Sequence, residues 1–166
     1  ENTDDPDRLS SIFSAFQKMA SRELPLILPL HPRTKKCLKK YNIEIEPNSG
    51  VRIISPVNYL DMIALESSAQ AILTDSGGMQ KEAYFAGVPC VTLRDETEWV
   101  ETVEVGANHI AGAESDSILS AFIKIQNSNK TIKKGLYGDG HAAEKIINAL
   151  ISAKRAIINP KQCAES

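Results

Sequence analysis

Two kinds of block alternate along the chain. Leu26-Ile27-Leu28-Pro29-Leu30, Val51-Arg52-Ile53-Ile54, Ala71-Ile72-Leu73 and Val88-Pro89-Cys90-Val91-Thr92-Leu93 are short apolar runs, the pattern of strands buried on both faces of a parallel sheet. Between them, apolar residues recur at helical spacing. Leu9, Ile12, Phe13, Phe16 and Ala20 predict an amphipathic helix over 6–21, with Asp5 as cap and Pro6 at the first helical position. Thr34 to Tyr41 reads as a short basic helix carrying Lys35, Lys36, Lys39 and Lys40. Tyr59 to Ser68 reads as a helix opened by the capping pair Asn58 and Asp61. Farther on, the spacing predicts a short acidic helix over 96–105 carrying Trp99, a short strand near 108–111 and a helix over 115–127. A last helix opens at Gly140, with Ala143, Ile146, Ile147, Leu150 and Ile151 expected to form its core face. Residues 128–136 read as a polar loop. The tail from Asn159 has no periodicity and is expected to be flexible.

Strands alternating with helices over short connections predict an α/β fold, a three-layer Rossmann-like domain over 1–157 with a parallel sheet and right-handed crossovers. A domain of that kind ordinarily starts on a strand. This chain starts at the approach to a helix, so a further strand is expected upstream.

The stretch from Ala69 to Asp95 organises the rest. It reads as strand, glycine turn, helix, strand. Asp75-Ser76-Gly77-Gly78 breaks the first strand, Ser76 is placed to cap the helix, and two glycines leave the backbone open to close approach. Met79, Ala83 and Ala86 share one helix face and are expected to meet the sheet. Free N–H groups at Ser76, Gly77 and Gly78 at a helix N-terminus suit a phosphate or diphosphate. Glu82 lies one turn on, about 6 Å along the axis at ~1.5 Å per residue. That is roughly the separation of a diphosphate from the hydroxyls of its ribose, and a carboxylate accepts two hydroxyl bonds well. The competing reading is a tight strand-to-helix turn followed by a solvated glutamate; glycine patterns alone are weak signals.

The segment DSGGMQKEAYFAGVPCVTLRDETEWVETVEVGAN resembles the D-S-G-G-x-Q-x-E-A…G-x-P…R-D-x-T-E segment of the non-hydrolysing UDP-N-acetylglucosamine 2-epimerases. Glu1-Asn2-Thr3-Asp4 resembles the end of that family's H-R-x-E-N, Leu30-His31-Pro32-Arg33-Thr34 its V-H-P-R-T, and Tyr137-Gly138-Asp139-Gly140 its Y-G-D-G. The resemblance implies the C-terminal half of a two-domain, GT-B-like enzyme whose active site lies between the halves. The implied reaction inverts the carbon bearing the acetamido group: UDP is eliminated to a glycal, which is re-protonated on the other face. UDP-N-acetylglucosamine and UDP-N-acetylmannosamine would interconvert for polysaccharide biosynthesis.

By matching motifs, Ser76, Gly77 and Gly78 would bind the diphosphate, Glu82 the ribose, and the turn at Pro56 and Val57 the uracil. No catalytic acid or base is expected here, because the family's candidates lie on the other half. His31 matches a position that bacterial members associate with an allosteric UDP-sugar site; a structural hydrogen bond is its competing reading. Arg94 is placed to meet phosphate, Asp75 or Glu98, and Glu98 and Glu101 to meet sugar hydroxyls or solvent. Where many members read T-E-R-P-E, this chain reads Thr97-Glu98-Trp99-Val100-Glu101. Trp99 is placed to stack on a sugar or pack at an interface. The T-E-W pattern is similar to that of relatives acting on modified UDP-acetamido sugars, including uronic acids. His109 and His141 are expected at the surface or in caps.

At 166 residues and net charge −2, no basic excess points to nucleic acid or an anionic membrane. Cys37, Cys90 and Cys163 have no metal-like spacing. Cys90 is expected to be an inert core thiol, and a reducing, cytoplasmic compartment is the simplest reading. The expected partners are a UDP-sugar, the N-terminal domain of the same enzyme and, in the intact enzyme, a second copy as a homodimer; no metal or other cofactor is implied. Two alternatives remain: a half of a GT-B UDP-sugar glycosyltransferase and a non-catalytic nucleotide-binding module.

Overall fold

The computed structural model describes residues 2–128, 132 and 135–158, with side chains described as far as Lys154. The chain divides into two compact units, Glu1–Lys134 and Gly135–Ser166. Most of the expected 128–136 loop, the tail from Asn159, and Cys163 lie outside the described residues.

The first unit runs α1 (Pro6–Met19), β1 (Leu26–Pro29), α2 (Pro32–Lys40), β2 (Val51–Ile54), α3 (Tyr59–Ser68), β3 (Ile72–Thr74), α4 (Gly77–Ala86), β4 (Cys90–Thr92), α5 (Val100–Glu104), β5 (Asn108–Ile110) and α6 (Ser115–Gln126). The strands pair in parallel, in two ladders, β1-β2 and β3-β4-β5. In β4 all three residues are buried and the pleat divides them. Val91 joins Leu9, Ile12, Phe13 and Phe16 of α1 and Ile118, Ala121 and Ile125 of α6. Cys90 points the other way, to Ile72, Ala83 and Val88, with Met79 against them. Three layers result, with α1 and α6 on one face and α4 on the other. Burial pushes the Cys90 thiol up to about 12, so it is an inert core group.

The helix caps follow the sequence. Asp5 accepts from the amides of Asp7 and Arg8 at 2.9 and 3.1 Å. Asn58 Oδ1 accepts from the Asp61 amide at 3.0 Å. The basic helix starts two residues earlier than expected, at Pro32, because His31 caps it: its Nδ1 accepts from the Arg33 amide at 3.2 Å. The four lysines of α2 are exposed. On α4, Ala83 is buried and Met79 packs against it, but Ala86 is exposed; Gln80 and Tyr84 are buried instead. A ten-residue helix turns Ala86 past the sheet, and Gly87, at φ 75°, ends it.

The second unit holds α7 (Ala142–Ile158). Asp139 Oδ1 accepts from the His141 amide at 3.1 Å and its Oδ2 pairs with Lys145 at 2.8 Å. These bonds draw its carboxyl below the usual range. The expected core face of α7 is not a core face among the described residues: Ile146, Ile147, Leu150 and Ile151 are 46–65% exposed. The helical period identifies an apolar stripe, and a stripe becomes core only where a second surface covers it.

Candidate functional site

Both loops that matter leave the C-terminal edge of the β3-β4-β5 ladder, where open α/β sheets hold their ligands. Thr74 ends β3 and leads into Asp75-Ser76-Gly77; Thr92 ends β4 and leads into Arg94 and Asp95. The N-terminal segment laces these loops together. Asn2, 5% exposed, donates to the Leu93 carbonyl at 2.6 Å and reaches Asp75 Oδ2 at 3.5 Å. Arg8 donates to Asn2 Oδ1 at 3.0 Å and pairs with Asp95 at 3.1 Å.

Ser76 caps α4, its Oγ accepting a long bond from the Met79 amide at 3.5 Å. Its own amide is not free, which corrects the expectation of three open donors: it donates to Thr74 Oγ1 at 3.0 Å. Sequence spacing could not show this, because it needs the Thr74 rotamer. The amides of Gly77 and Gly78 bond to no group among the described residues. Neither glycine has a positive φ, so neither is required for backbone freedom. A methyl on Gly78 would meet only Ser76 Oγ, at 3.8 Å. A methyl on Gly77 would collide with the Glu98 carboxylate and stand 3.3 Å from Trp99 Nε1.

Glu98 therefore lies against the N-terminus of α4, as an anion would. Of the three partners open to Arg94, the structure selects this one, at 3.0 Å. Trp99 precedes α5 rather than lying within a helix over 96–105, and Lys81 Nζ stands 4.3 Å above its ring. That contact covers one indole face with a cation. Glu101 is exposed, His109 is half-buried in β5, and His141 is exposed and 3.4 Å from Glu144. Pro56 is exposed and Val57 half-buried in the turn before α3, which packs on α4.

Glu82 is half-buried on α4, one turn beyond Gly78. Its neighbour Glu66, on α3, is 4% exposed, and neither of its carboxylate oxygens has a partner among the described residues. Burial pushes the Glu66 carboxyl up, and the Glu82 charge pushes it further. The spacing of α3 gave no sign of Glu66. Nor did it reveal the cluster of Gln80, Thr97, Thr102 and Asn108 behind Trp99; the only available signal was a glutamine beside Ala83 and Tyr84 on the inner side of α4. Among the described residues no group of three or more histidine, cysteine, aspartate or glutamate side chains is placed to hold a metal ion.

A parallel ladder between helical layers, with glycine-opened amides at its C-terminal edge, defines a Rossmann-like unit, one half of a GT-B-like fold. The chain belongs to the UDP-N-acetylglucosamine 2-epimerase family, whose model matches residues 1–151. It is 46% identical over 152 residues to the UDP-2,3-diacetamido-2,3-dideoxy-D-glucuronate 2-epimerase of Pseudomonas aeruginosa, covering 90% of this chain and 41% of that one. It is 41% identical over 157 residues to the UDP-N-acetylglucosamine 2-epimerase of Methanocaldococcus jannaschii, covering 93% and 43%. The M. jannaschii enzyme solved in complex with UDP-GlcNAc and UDP superposes with a TM-score of 0.78 at 39% identity, over 91% of this chain and 42% of that one. The chain thus spans about two-fifths of the length of the curated relatives it matches.

Proposed function

We propose that this chain is the nucleotide-binding half of a UDP-N-acetylglucosamine 2-epimerase or of a close relative. The observation that carries the reading is the pair of Gly77 and Gly78 amides at the mouth of α4, unbonded among the described residues, in a chain of this family. In this reading the diphosphate lies on those two amides and the Ser76 hydroxyl. Glu82 takes the ribose hydroxyls, and the backbone at Pro56 and Val57 meets the uracil. The diphosphate displaces the Glu98 carboxylate, and Arg94 exchanges a carboxylate for a phosphate.

The chemistry asked of this half is stabilisation of a leaving group. As the glycosidic C–O bond breaks, its electron pair leaves with UDP and a proton is lost from the carbon bearing the acetamido group, giving a glycal. Re-addition of UDP, with protonation on the opposite face, completes the inversion. Fixed N–H dipoles aimed at the departing charge lower that barrier, and one such donor is worth ~2.7–4 kcal/mol in comparable oxyanion sites. The proton-transfer groups belong to the other half of the enzyme. The intact enzyme works as a homodimer, in the cytoplasm, supplying UDP-N-acetylmannosamine to polysaccharide assembly.

A second reading keeps the site and changes the sugar. Trp99 puts an indole beside Gly77 and Lys81 a cation over that indole, and a relative with 46% identity is named for a diacetamido uronate. A cation beside the sugar site would favour a uronate over a neutral sugar. Incubating the full-length enzyme with a panel of UDP-sugars, and no acceptor, tests both readings by NMR. Epimer formation from UDP-N-acetylglucosamine supports the first and from a UDP-diacetamido uronate the second. Product formed only when an acceptor sugar is added would instead mark a glycosyltransferase.

A further inference from the structure

Behind the 97–99 segment lies a buried polar cluster that the nucleotide reading leaves unused. Gln80, on the inner side of α4, and Asn108, on β5, are each 1% exposed. Gln80 Oε1 accepts from Thr97 Oγ1 at 2.5 Å and from Asn108 Nδ2 at 3.0 Å. Thr97 Oγ1 in turn accepts from the Trp99 amide at 3.1 Å. On the other side, Asn108 Nδ2 also reaches Thr102 Oγ1 at 3.3 Å, and Thr102 Oγ1 donates to the Trp99 carbonyl at 2.6 Å. Both backbone groups of Trp99 are therefore tied into one network.

Packing alone does not ask for these residues. Apolar side chains would fill the same space without burying an amide, and Gln80 Nε2 has no partner among the described residues. What the network fixes is the height of Glu98 and Trp99 above Gly77, where the carboxylate and the indole nitrogen crowd the glycine.

We propose that Gln80 is a positioning residue for the nucleotide: through Thr97 it holds the 97–99 segment over the N-terminus of α4 and so sets how tightly that end grips a diphosphate. The proposal rests on the reading of the Gly77 and Gly78 amides as the diphosphate site. It assigns Gln80 no contact with the ligand. The shorter of its two routes to Trp99 passes through the Thr97 hydroxyl, which both donates to Gln80 and accepts from the Trp99 amide.

Trp99 is the only tryptophan in the sequence, so its emission reports on the segment directly. The experiment titrates UDP into the full chain, unaltered and as Gln80→Leu, Thr97→Val and Thr97→Ser, and records Trp99 emission and the thermal midpoint. Thr97 is only half-buried, so Thr97→Val keeps the test alive if Gln80→Leu does not fold. Thr97→Val is expected to shift the emission of the free protein and to weaken UDP about five- to tenfold, the size of one lost hydrogen bond. Thr97→Ser, which restores the hydroxyl, should return both, a rescue that a general loss of stability would not give. Unchanged emission and affinity in Thr97→Val, or failure of the serine to rescue, overturns the proposal while the nucleotide reading stands. Absence of UDP binding by the unaltered chain overturns that reading and the proposal with it.

Discussion

Gly77 and Gly78 are adjacent, yet they are glycine for different reasons. Gly77 faces Glu98 and Trp99, and the protein itself fills the space a side chain would take. Gly78 faces open space, and its φ suits any residue. Within the chain alone, an alanine at 78 should be tolerated and should add up to about 0.5–1 kcal/mol of helix stability. Its methyl would instead obstruct an anion approaching the amides. Gly78→Ala is therefore expected to hold or raise the melting temperature in calorimetry while weakening UDP by about tenfold, or ~1.4 kcal/mol. A parallel loss of stability and binding would mean that Gly78 serves the fold. Glu66 gives a second prediction at this scale. Its carboxyl is raised in the folded state, so its contribution is most favourable below the ordinary carboxyl range and is lost as pH rises through the folded value. Glu66→Met removes a buried carboxyl that has no partner among the described residues. It should stabilise the protein at pH 8 by about 1–3 kcal/mol, the cost of one unmet buried polar group, with the gain shrinking below pH ~4. An equal gain at both pH values would contradict the assignment. The caps Asp5, Asn58 and Ser76 were legible because a cap is a local pattern of three or four residues. The occupied Ser76 amide, Gln80 and Glu66 were not, because each depends on which side chain a distant element brings to it.

At the scale of elements, α4 and the segment from Arg94 to Trp99 form one device. The Glu98 carboxylate rests where the helix N-terminus favours negative charge, and Arg94 holds it there. In the proposed reading an incoming phosphate competes with it. Glu98→Gln is thus expected to tighten pyrophosphate about two- to fivefold, within the ~0.2–1 kcal/mol of an exposed charge pair. The difference should fade as salt rises toward 1 M. Weaker binding in the glutamine variant would mean that Glu98 contacts the ligand favourably. The positions of the elements were largely readable: strands from short apolar runs, helices from their period and caps. The limit was α7, whose stripe of Ile146, Ile147, Leu150 and Ile151 is apolar yet exposed. Periodicity reports which face of a helix is apolar and carries no information about what covers it. The split of the strands into two ladders was equally invisible, since each run looks the same whichever neighbour it pairs with.

At the scale of the whole molecule, the chain spans about two-fifths of the length of its relatives, and in the proposed reading it supplies binding and leaving-group stabilisation but no proton transfer. The 166-residue chain should therefore bind UDP and leave UDP-N-acetylglucosamine unchanged in an NMR epimerisation assay; turnover by this chain alone would refute the division of labour. In the proposed reading the α4 amides hold the diphosphate and Glu82, one turn deeper, holds the ribose. Calorimetric titration of the unaltered chain and of Glu82→Ala with UDP and with pyrophosphate tests it most directly. Glu82→Ala is expected to weaken UDP about tenfold, roughly 1.4 kcal/mol, and to leave pyrophosphate unchanged. Equal losses for both ligands, or none for UDP, would contradict it.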